Sequence, residues 1–199
     1  MKKQQSKKLD YKTLTISQIE NELKKETYKE KYHKILKSTI YSLIIVAAIA
    51  ALIATLMMPV LEITGSSMTP TFNEGEIVVS LKTTTLETGD IIAFYHGNKI
   101  LVKRVIAKPG EWINMDKDGQ VYINSKKLQE PYIDKILLGS VDIEFPYQVP
   151  DNHWFVLGDH REISIDSRNS DIGSISKDDI VGKILFRIWP LNKIGKITK

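Results

Sequence analysis

At 199 residues the chain has room for one domain of ordinary size plus an appendage. It contains no cysteine, which excludes a disulfide framework, a thiolate nucleophile and a zinc–thiolate site while leaving the compartment open. The formal net charge is only +4 and much of the lysine lies in the first part of the chain, so no nucleic-acid partner is expected.

The stretch SQIENELKKETYKEKYHKILK, Ser17 to Lys37, offers Ser17 and Glu20 as a capping-box pair. Ile19, Leu23, Tyr28, Tyr32 and Leu36 then recur at near-helical spacing, which predicts a helix able to run on into the segment that follows. From Ile40 to Leu61 the chain is uncharged. That run is close to the roughly 20 residues a helix needs to cross a hydrocarbon core. A buried core helix normally carries a polar stripe, whereas this one has only Tyr41, Ser42 and Thr55. The long segment before it does not suit a cleavable signal peptide, so the run reads as an uncleaved anchor over residues 39–61. Lys24, Lys25, Lys29, Lys31, Lys34 and Lys37 precede it, and Glu62 follows it with no basic residue before Lys82. The positive-inside rule places residues 1–38 in the cytoplasm and residues 62–199 outside, in a single-pass protein of the cell membrane. The lysine run then needs no function beyond setting topology.

After Phe72 the pattern changes to short runs rich in β-branched and aromatic residues: EIVVSLKT, DIIAFYH, KILVKRVIA, EWINMD, QVYIN and HWFVLGD. Turn sequences separate them, namely NEG, ETGD, HGN, KPGE and DKDG. The fold class expected is mainly β: an N-terminal transmembrane helix followed by a barrel-like or sandwich-like β domain.

Two features of that domain carry chemistry. GSSMTPTF, Gly65 to Phe72, is a polar turn with hydroxyls close to the apolar run. KILVKRVIA sets Lys103 among Ile100, Leu101, Val102, Val105 and Ile106, with Arg104 pointing to the other face of the strand. A free lysine is protonated at neutral pH, but burial among apolar groups disfavours the ammonium and can yield a neutral amine able to activate a serine. Taken alone, such a lysine also fits an edge strand protected against aggregation.

SMTPT (Ser67 to Thr71), KRVIAKPGE (Lys103 to Glu111), GDHREISIDSR (Gly158 to Arg168) and FRIWPLNKIG (Phe186 to Gly195) occur in this order behind the anchor. Together they resemble the bacterial type I signal peptidases, membrane-bound Ser-Lys proteases that remove signal peptides from exported proteins. The likeness runs from about Lys37 to the end, and the single anchor and compact domain are similar to the Gram-positive form. The resemblance implies an extracytoplasmic catalytic domain over 62–199, with 112–150 serving as a reduced second subdomain.

It makes Ser67 the nucleophile and Lys103 the general base, with no metal and no cofactor. The Ser67 N–H would form part of an oxyanion hole. Some relatives add a serine hydroxyl two residues earlier, where this chain has Gly65, so backbone or solvent would have to replace that donor. Ser164 would orient the lysine, Asp166 and Arg168 would form an ion pair beneath the site, and Asp159 would pair with Arg104. His160 stands where the family more often has asparagine. The family cuts after small residues of the Ala-x-Ala type, and Ile63, Met68, Leu101 and Val102 would wall the pockets. An extended substrate would lie between the segment before Ser67 and the Lys103 strand. Partners implied are exported preproteins, the lipid bilayer and the neighbourhood of the Sec translocation machinery.

Several rivals compete. Ser66 reads as a turn hydroxyl. A Ser-His protease on His96, His153 or His160 has no supporting motif. SISK, Ser174 to Lys177, matches a Ser-x-x-Lys spacing without the remaining motifs of that class. A self-cleaving repressor would need a DNA-binding domain. A catalytically silent relative that binds exported substrates or assists surface-fibre assembly remains the alternative, opposed by the presence of both Ser67 and Lys103.

Overall fold

The computed structural model describes residues 15–83 and 85–197. The first fourteen residues of the expected cytoplasmic segment 1–38 lie outside the described residues. The chain divides into a helical unit through Ile53 and a β unit from Ala54 onward.

Helix α1, Ile16–Met57, joins the expected cytoplasmic helix and the apolar run without a break. It is long and apolar enough to cross a membrane, and none of its side chains is buried. At about 1.5 Å per residue it reaches roughly 60 Å, about twice a hydrocarbon core, so only part of it is needed for a span. Two details differ from expectation. The cap is Thr15 with Gln18, not Ser17 with Glu20: Gln18 Oε1 accepts the Thr15 N–H at 3.1 Å and the Gln18 N–H donates to Thr15 O at 2.9 Å. Ser17 already lies inside the first turn. The helix also stops at Met57 instead of running to Leu61. Pro59 has no N–H to continue the ladder and biases Met58 away from helical geometry, so the last apolar residues turn into a strand.

That strand is β1, Val60–Glu62. It pairs with β2, Ile77–Leu81, at one end of an eight-stranded antiparallel sheet. The other members are β3 (Ile91–His96), β4 (Lys99–Ala107), β9 (His153–Leu157), β10 (Ile175–Ser176), β11 (Ile180–Trp189) and β12 (Gly195–Lys196). The order is β1-β2-β11-β3-β4-β9-β10, with β12 attached to β11. A second sheet holds β5 (Trp112–Met115), β6 (Val121–Ile123), β7 (Lys126–Lys127) and β8 (Tyr147–Gln148) in the order β7-β6-β5-β8. The mainly-β expectation stands, and the second sheet falls inside 112–150. The barrel half of the expectation is corrected: the path of the large sheet is open from β1 to β10, so no closed barrel forms.

The two sheets meet over Ile106, Ala107, Phe155 and Leu157 from β4 and β9, packed against Ile113, Met115 and Val121. A second cluster joins Ile92, Phe94, Val105 and Val156. A third joins Ile63, Met68, Phe72, Val78, Ile91 and Ile184. This last cluster matters for the site, because Met68 and Phe72 pin the turn between β1 and β2 to the sheet. No strand is expected from the sequence at 180–189, although β11 is the longest one. Gly182 interrupts its apolar run, and register shifts between Ile180 and Gly182, Ile184 and Phe186, and Arg187 and Trp189 blur the alternation of period two.

Candidate active site

Three segments converge on one place: the β1–β2 turn, the middle of β4, and the loop that follows β9. The turn is built locally. The Thr69 N–H and Oγ1 both donate to Ser66 O, at 3.1 and 2.9 Å, and the Phe72 N–H donates to Met68 O at 2.9 Å. Gly65 opens the turn at φ +79°, a conformation that costs glycine little and a side chain more. Ser66 thus serves the turn through its carbonyl, and Ser67 is left to project its hydroxyl.

Lys103 Nζ lies 2.7 Å from Ser67 Oγ. Lys103 is only 4% exposed. Burial lowers its pKa from the ordinary 10.5 to about 8; the Asp166 and Asp159 charges resist that shift and the Arg168 charge assists it. The edge-strand reading of this lysine is therefore set aside by geometry: its amine points inward at a hydroxyl. No hydrogen bond among the described residues uses the Ser67 N–H, so it remains available as a donor.

Arg104, on the opposite face of β4, is fully enclosed. Its Nε and Nη2 donate to the two oxygens of Asp159 at 2.8 and 2.7 Å, and its Nη1 donates to Gly89 O at 2.9 Å. Asp159 also accepts the Thr71 hydroxyl, which ties the end of the nucleophile turn to the loop after β9. Beneath that loop, Arg168 Nε and Nη2 each donate to Asp166 at 2.8 Å, and the Gly158 N–H donates to the same carboxylate at 2.9 Å. Both ion pairs are fully bidentate and buried. Breaking one partner of such a pair is what costs stability, because the other charge is left uncompensated.

Ser164, expected to orient the lysine, has its Oγ buried with no hydrogen-bond partner among the described residues. The hydroxyl packs over Gly158: a Cβ added there would lie 2.1 Å from Ser164 Oγ and 2.6 Å from Ser67 O. Glycine at 158 is what lets the nucleophile turn, the loop and Ser164 approach so closely.

Four further residues support the site and are not expected from the sequence in these roles. The His160 N–H donates to Ser67 O at 3.1 Å, and His160 Nδ1 lies 2.8 Å from Thr69 Oγ1. His160 is thus a brace for the turn and not a partner of the Ser67 hydroxyl. Arg161 is buried against Glu130, and its Nε donates to Gly158 O at 3.1 Å. Tyr132 donates its hydroxyl to Glu130 at 2.8 Å and presents its ring to the Arg104 guanidinium at 3.8 Å. Desolvation, joined by the Glu130 charge and hydrogen bond, pushes the Tyr132 hydroxyl far above its ordinary pKa. The other rivals fall elsewhere. His153 Nδ1 meets Asp151 O in a local turn, and His96 ends β3. In SISK, Ser176 caps a short helical turn and Ser174 meets the Tyr147 hydroxyl.

A cleft of about 70 Å³ opens beside the dyad, lined by Glu62, Ile63, Thr64, Gly65, Ser67 and Met68 on one wall and Ile100, Leu101, Val102 and Lys103 on the other. All four expected wall residues are present. The backbone of both walls is suitable for an added strand. Val105 exchanges hydrogen bonds with Asp90 and Gly89 on the β3 side, so alternation turns the N–H and C=O of Ile100 and Val102 to the opposite edge. On that edge β9 pairs β4 only from Arg104 onward. Likewise Ile63 bonds toward Glu76 and Gly75, which turns the polar groups of Glu62 and Thr64 away from β2.

A sequence model of the family described as signal peptidase, peptidase S26, matches residues 36–189. Signal peptidase I T of Bacillus subtilis (strain 168) is 43% identical over 145 residues, covering 66% of this chain and 74% of its own. Signal peptidase IB of Staphylococcus aureus (strain COL) is 38% identical over 152 residues, covering 66% of this chain and 78% of its own. A solved signal peptidase I from Enterococcus faecalis V583 is 28% identical and covers 51% of this chain and 98% of its own, with a TM-score of 0.42.

Proposed function

The chain belongs to the signal peptidase family, peptidase S26, and from that premise we propose that it is a membrane-anchored serine endopeptidase that removes N-terminal signal peptides from exported preproteins with a Ser67–Lys103 dyad. The observation that carries the reading is the 2.7 Å approach of a buried lysine amine to the Ser67 hydroxyl. With Lys103 neutral, the hydrogen bond reverses its sense: Ser67 Oγ–H donates to Nζ, and the amine takes the proton as Oγ attacks the scissile carbonyl. The resulting ammonium gives that proton to the leaving amine, and a water molecule, deprotonated by the same lysine, releases the acyl group. The free Ser67 N–H supports an oxyanion beside its own Oγ. Gly65 supplies no side-chain donor, so a second contribution to the oxyanion hole would come from backbone or solvent.

The substrate lies extended in the cleft, its backbone between the outward groups of Ile100 and Val102 and those of Glu62 and Thr64. A space of about 70 Å³ walled by Ile63, Met68, Leu101 and Val102 accepts a small side chain and excludes larger ones. Replacing the alanine just before the cut by leucine is expected to lower kcat/KM about 100-fold, read as processing of matched preprotein variants. A silent binding relative would gain nothing from a desolvated lysine against a serine, and the intact pair favours catalysis. The helix α1 serves as the anchor, with the β unit on the outer side of the membrane.

The test of the base is the pH dependence of preprotein cleavage. Lys103 acts only when neutral, so kcat/KM rises about tenfold per pH unit from acid pH and levels off above about 8. A rate unchanged between about pH 6 and 10 would overturn the desolvated-lysine mechanism.

A further inference from the structure

Ser67 is held through the peptide bonds on both of its sides, and His160, from the loop after β9, reaches both. On the C-terminal side the His160 N–H donates to Ser67 O at 3.1 Å. On the N-terminal side the peptide between Ser66 and Ser67 is trans, so its C=O and N–H point in opposite directions from one rigid plane. Ser66 O accepts the Thr69 N–H at 3.1 Å and the Thr69 hydroxyl at 2.9 Å. Whatever fixes that oxygen therefore aims the Ser67 N–H, which has no hydrogen-bond partner among the described residues. The Thr69 hydroxyl is not needed to close the turn, since the Thr69 and Phe72 N–H groups already do so.

Thr69 Oγ1 also lies 2.8 Å from His160 Nδ1. The hydroxyl has a single proton to share between two neighbours. If it pointed at Nδ1, Oγ1 and Ser66 O would face each other at 2.9 Å with no hydrogen between them. With a proton on Nδ1 both contacts are hydrogen bonds: Nδ1–H donates to Oγ1, and Oγ1–H donates to Ser66 O. Hydrogen bonds in series polarise one another, and an amide whose oxygen accepts two of them is a stronger N–H donor. We infer that Thr69 and His160 are positioning residues for the oxyanion hole: the His160 Nδ1–H and the Thr69 hydroxyl hold the Ser66–Ser67 peptide with its N–H toward the developing oxyanion. The inference deepens the peptidase reading and rests on it, because it needs Ser67 to be the nucleophile. An oxyanion exists only after attack, so loss of this series lowers kcat and spares KM.

The test compares the full chain in detergent micelles with its variants, by preprotein cleavage and by inhibition with a peptide ending in Ala-x-alaninal or the matching alaninol. The aldehyde is attacked as a substrate is: Ser67 Oγ bonds to the aldehyde carbon, its proton passes to Lys103 Nζ, and the carbonyl oxygen becomes an oxyanion facing the Ser67 N–H. The alcohol has no carbonyl at that position and reads the cleft alone. Thr69→Val keeps the side-chain shape without the hydroxyl. It is expected to lower kcat about tenfold with KM within about twofold, a fraction of the roughly 10²–10³-fold that losing a whole oxyanion donor costs. The aldehyde Ki rises by the same factor and the alcohol Ki stays. Thr69→Ser restores both kcat and the aldehyde Ki. His160→Leu lowers kcat about threefold, as befits one hydrogen bond removed at a distance from the oxyanion. His160→Asn, which returns an N–H donor, restores it, and His160→Leu adds nothing in the Thr69→Val background. An unchanged kcat in Thr69→Val, equal weakening of aldehyde and alcohol, or no rescue by serine would each overturn the assignment. Full activity in Ser67→Ala would instead remove the peptidase reading itself, whereas an enzyme that needs Ser67 and ignores Thr69 removes this inference alone.

Discussion

Replacing Ser67 by alanine is expected to reduce preprotein cleavage by about 10⁴-fold or more in kcat/KM, leaving only what substrate positioning and the oxyanion donor supply. Lys103→Met is expected to cost the same, because the serine hydroxyl then has no base within reach and the methionine fills the volume without accepting a proton. The double variant loses no more than either single one, since the two groups act as a unit. The measurement is kcat/KM for a purified preprotein in micelles or vesicles, and full activity in Ser67→Ala would refute the dyad.

The same substitution at Lys103 moves stability the other way. The folded-state pKa of about 8 lies below the ordinary 10.5, so the unfolded chain binds the proton more tightly. Below about pH 8 the lysine is protonated in both states and the full cost of burying the ammonium is present. That cost is relieved as pH rises from about 8 toward 10.5. Lys103→Met should therefore stabilise the full chain at pH 7 by on the order of 3 kcal/mol, with the gain shrinking toward pH 10. Urea unfolding followed by the fluorescence of the buried Trp154 reads both numbers. An inactive variant that is more stable than the parent separates loss of chemistry from loss of fold.

The parts of this molecule that were legible in the sequence are those whose physics is local. Runs such as DIIAFYH and KILVKRVIA announce strands because β-branched and aromatic residues suit a half-buried pleated surface, and both appear where expected. Lys103 is conspicuous for the same reason, as a charge inside an apolar run. What the run alone leaves open is whether that lysine faces solvent or a hydroxyl 36 positions away, and only the β1–β2 turn folding over β4 decides it. Glu130 and Arg161 form a buried pair between two irregular segments, and neither periodicity nor spacing marks such a contact. His160 offers an imidazole that could be imagined as a base. Its position after Asp159 fixes it instead on the Ser67 carbonyl and the Thr69 hydroxyl. For Ser164 the role comes from a resemblance by position alone; its hydroxyl is buried close to Gly158 with no hydrogen-bond partner among the described residues.

Asp166→Asn is expected to have the second-largest effect, with two separable parts. The carboxylate receives two bonds from the Arg168 side chain and one from the Gly158 N–H. Neutralising it strands a fully buried guanidinium whose other acceptors are the main-chain carbonyls of Arg161 and Ser164, at 2.9 and 3.3 Å, and that of Leu138. Removing one partner of such a pair costs about 3–5 kcal/mol of stability. Activity falls with it, because Gly158 packs directly on the Ser67 carbonyl and its position depends on the bond to Asp166. The second part runs through charge. Asp166 is the strongest influence resisting the downward shift of Lys103, and Arg168 pushes in the downward direction. Without the carboxylate both effects favour the neutral amine, so the rising limb of the pH–rate profile moves below about 8 even as the plateau drops. Damage to the fold alone lowers the plateau and leaves the limb in place. Measuring kcat/KM for Asp166→Asn across pH in the full chain, at a temperature where circular dichroism shows it folded, distinguishes the two. A limb that stays fixed, or moves upward, removes Asp166 from the electrostatics of the dyad and leaves it a purely architectural ion pair.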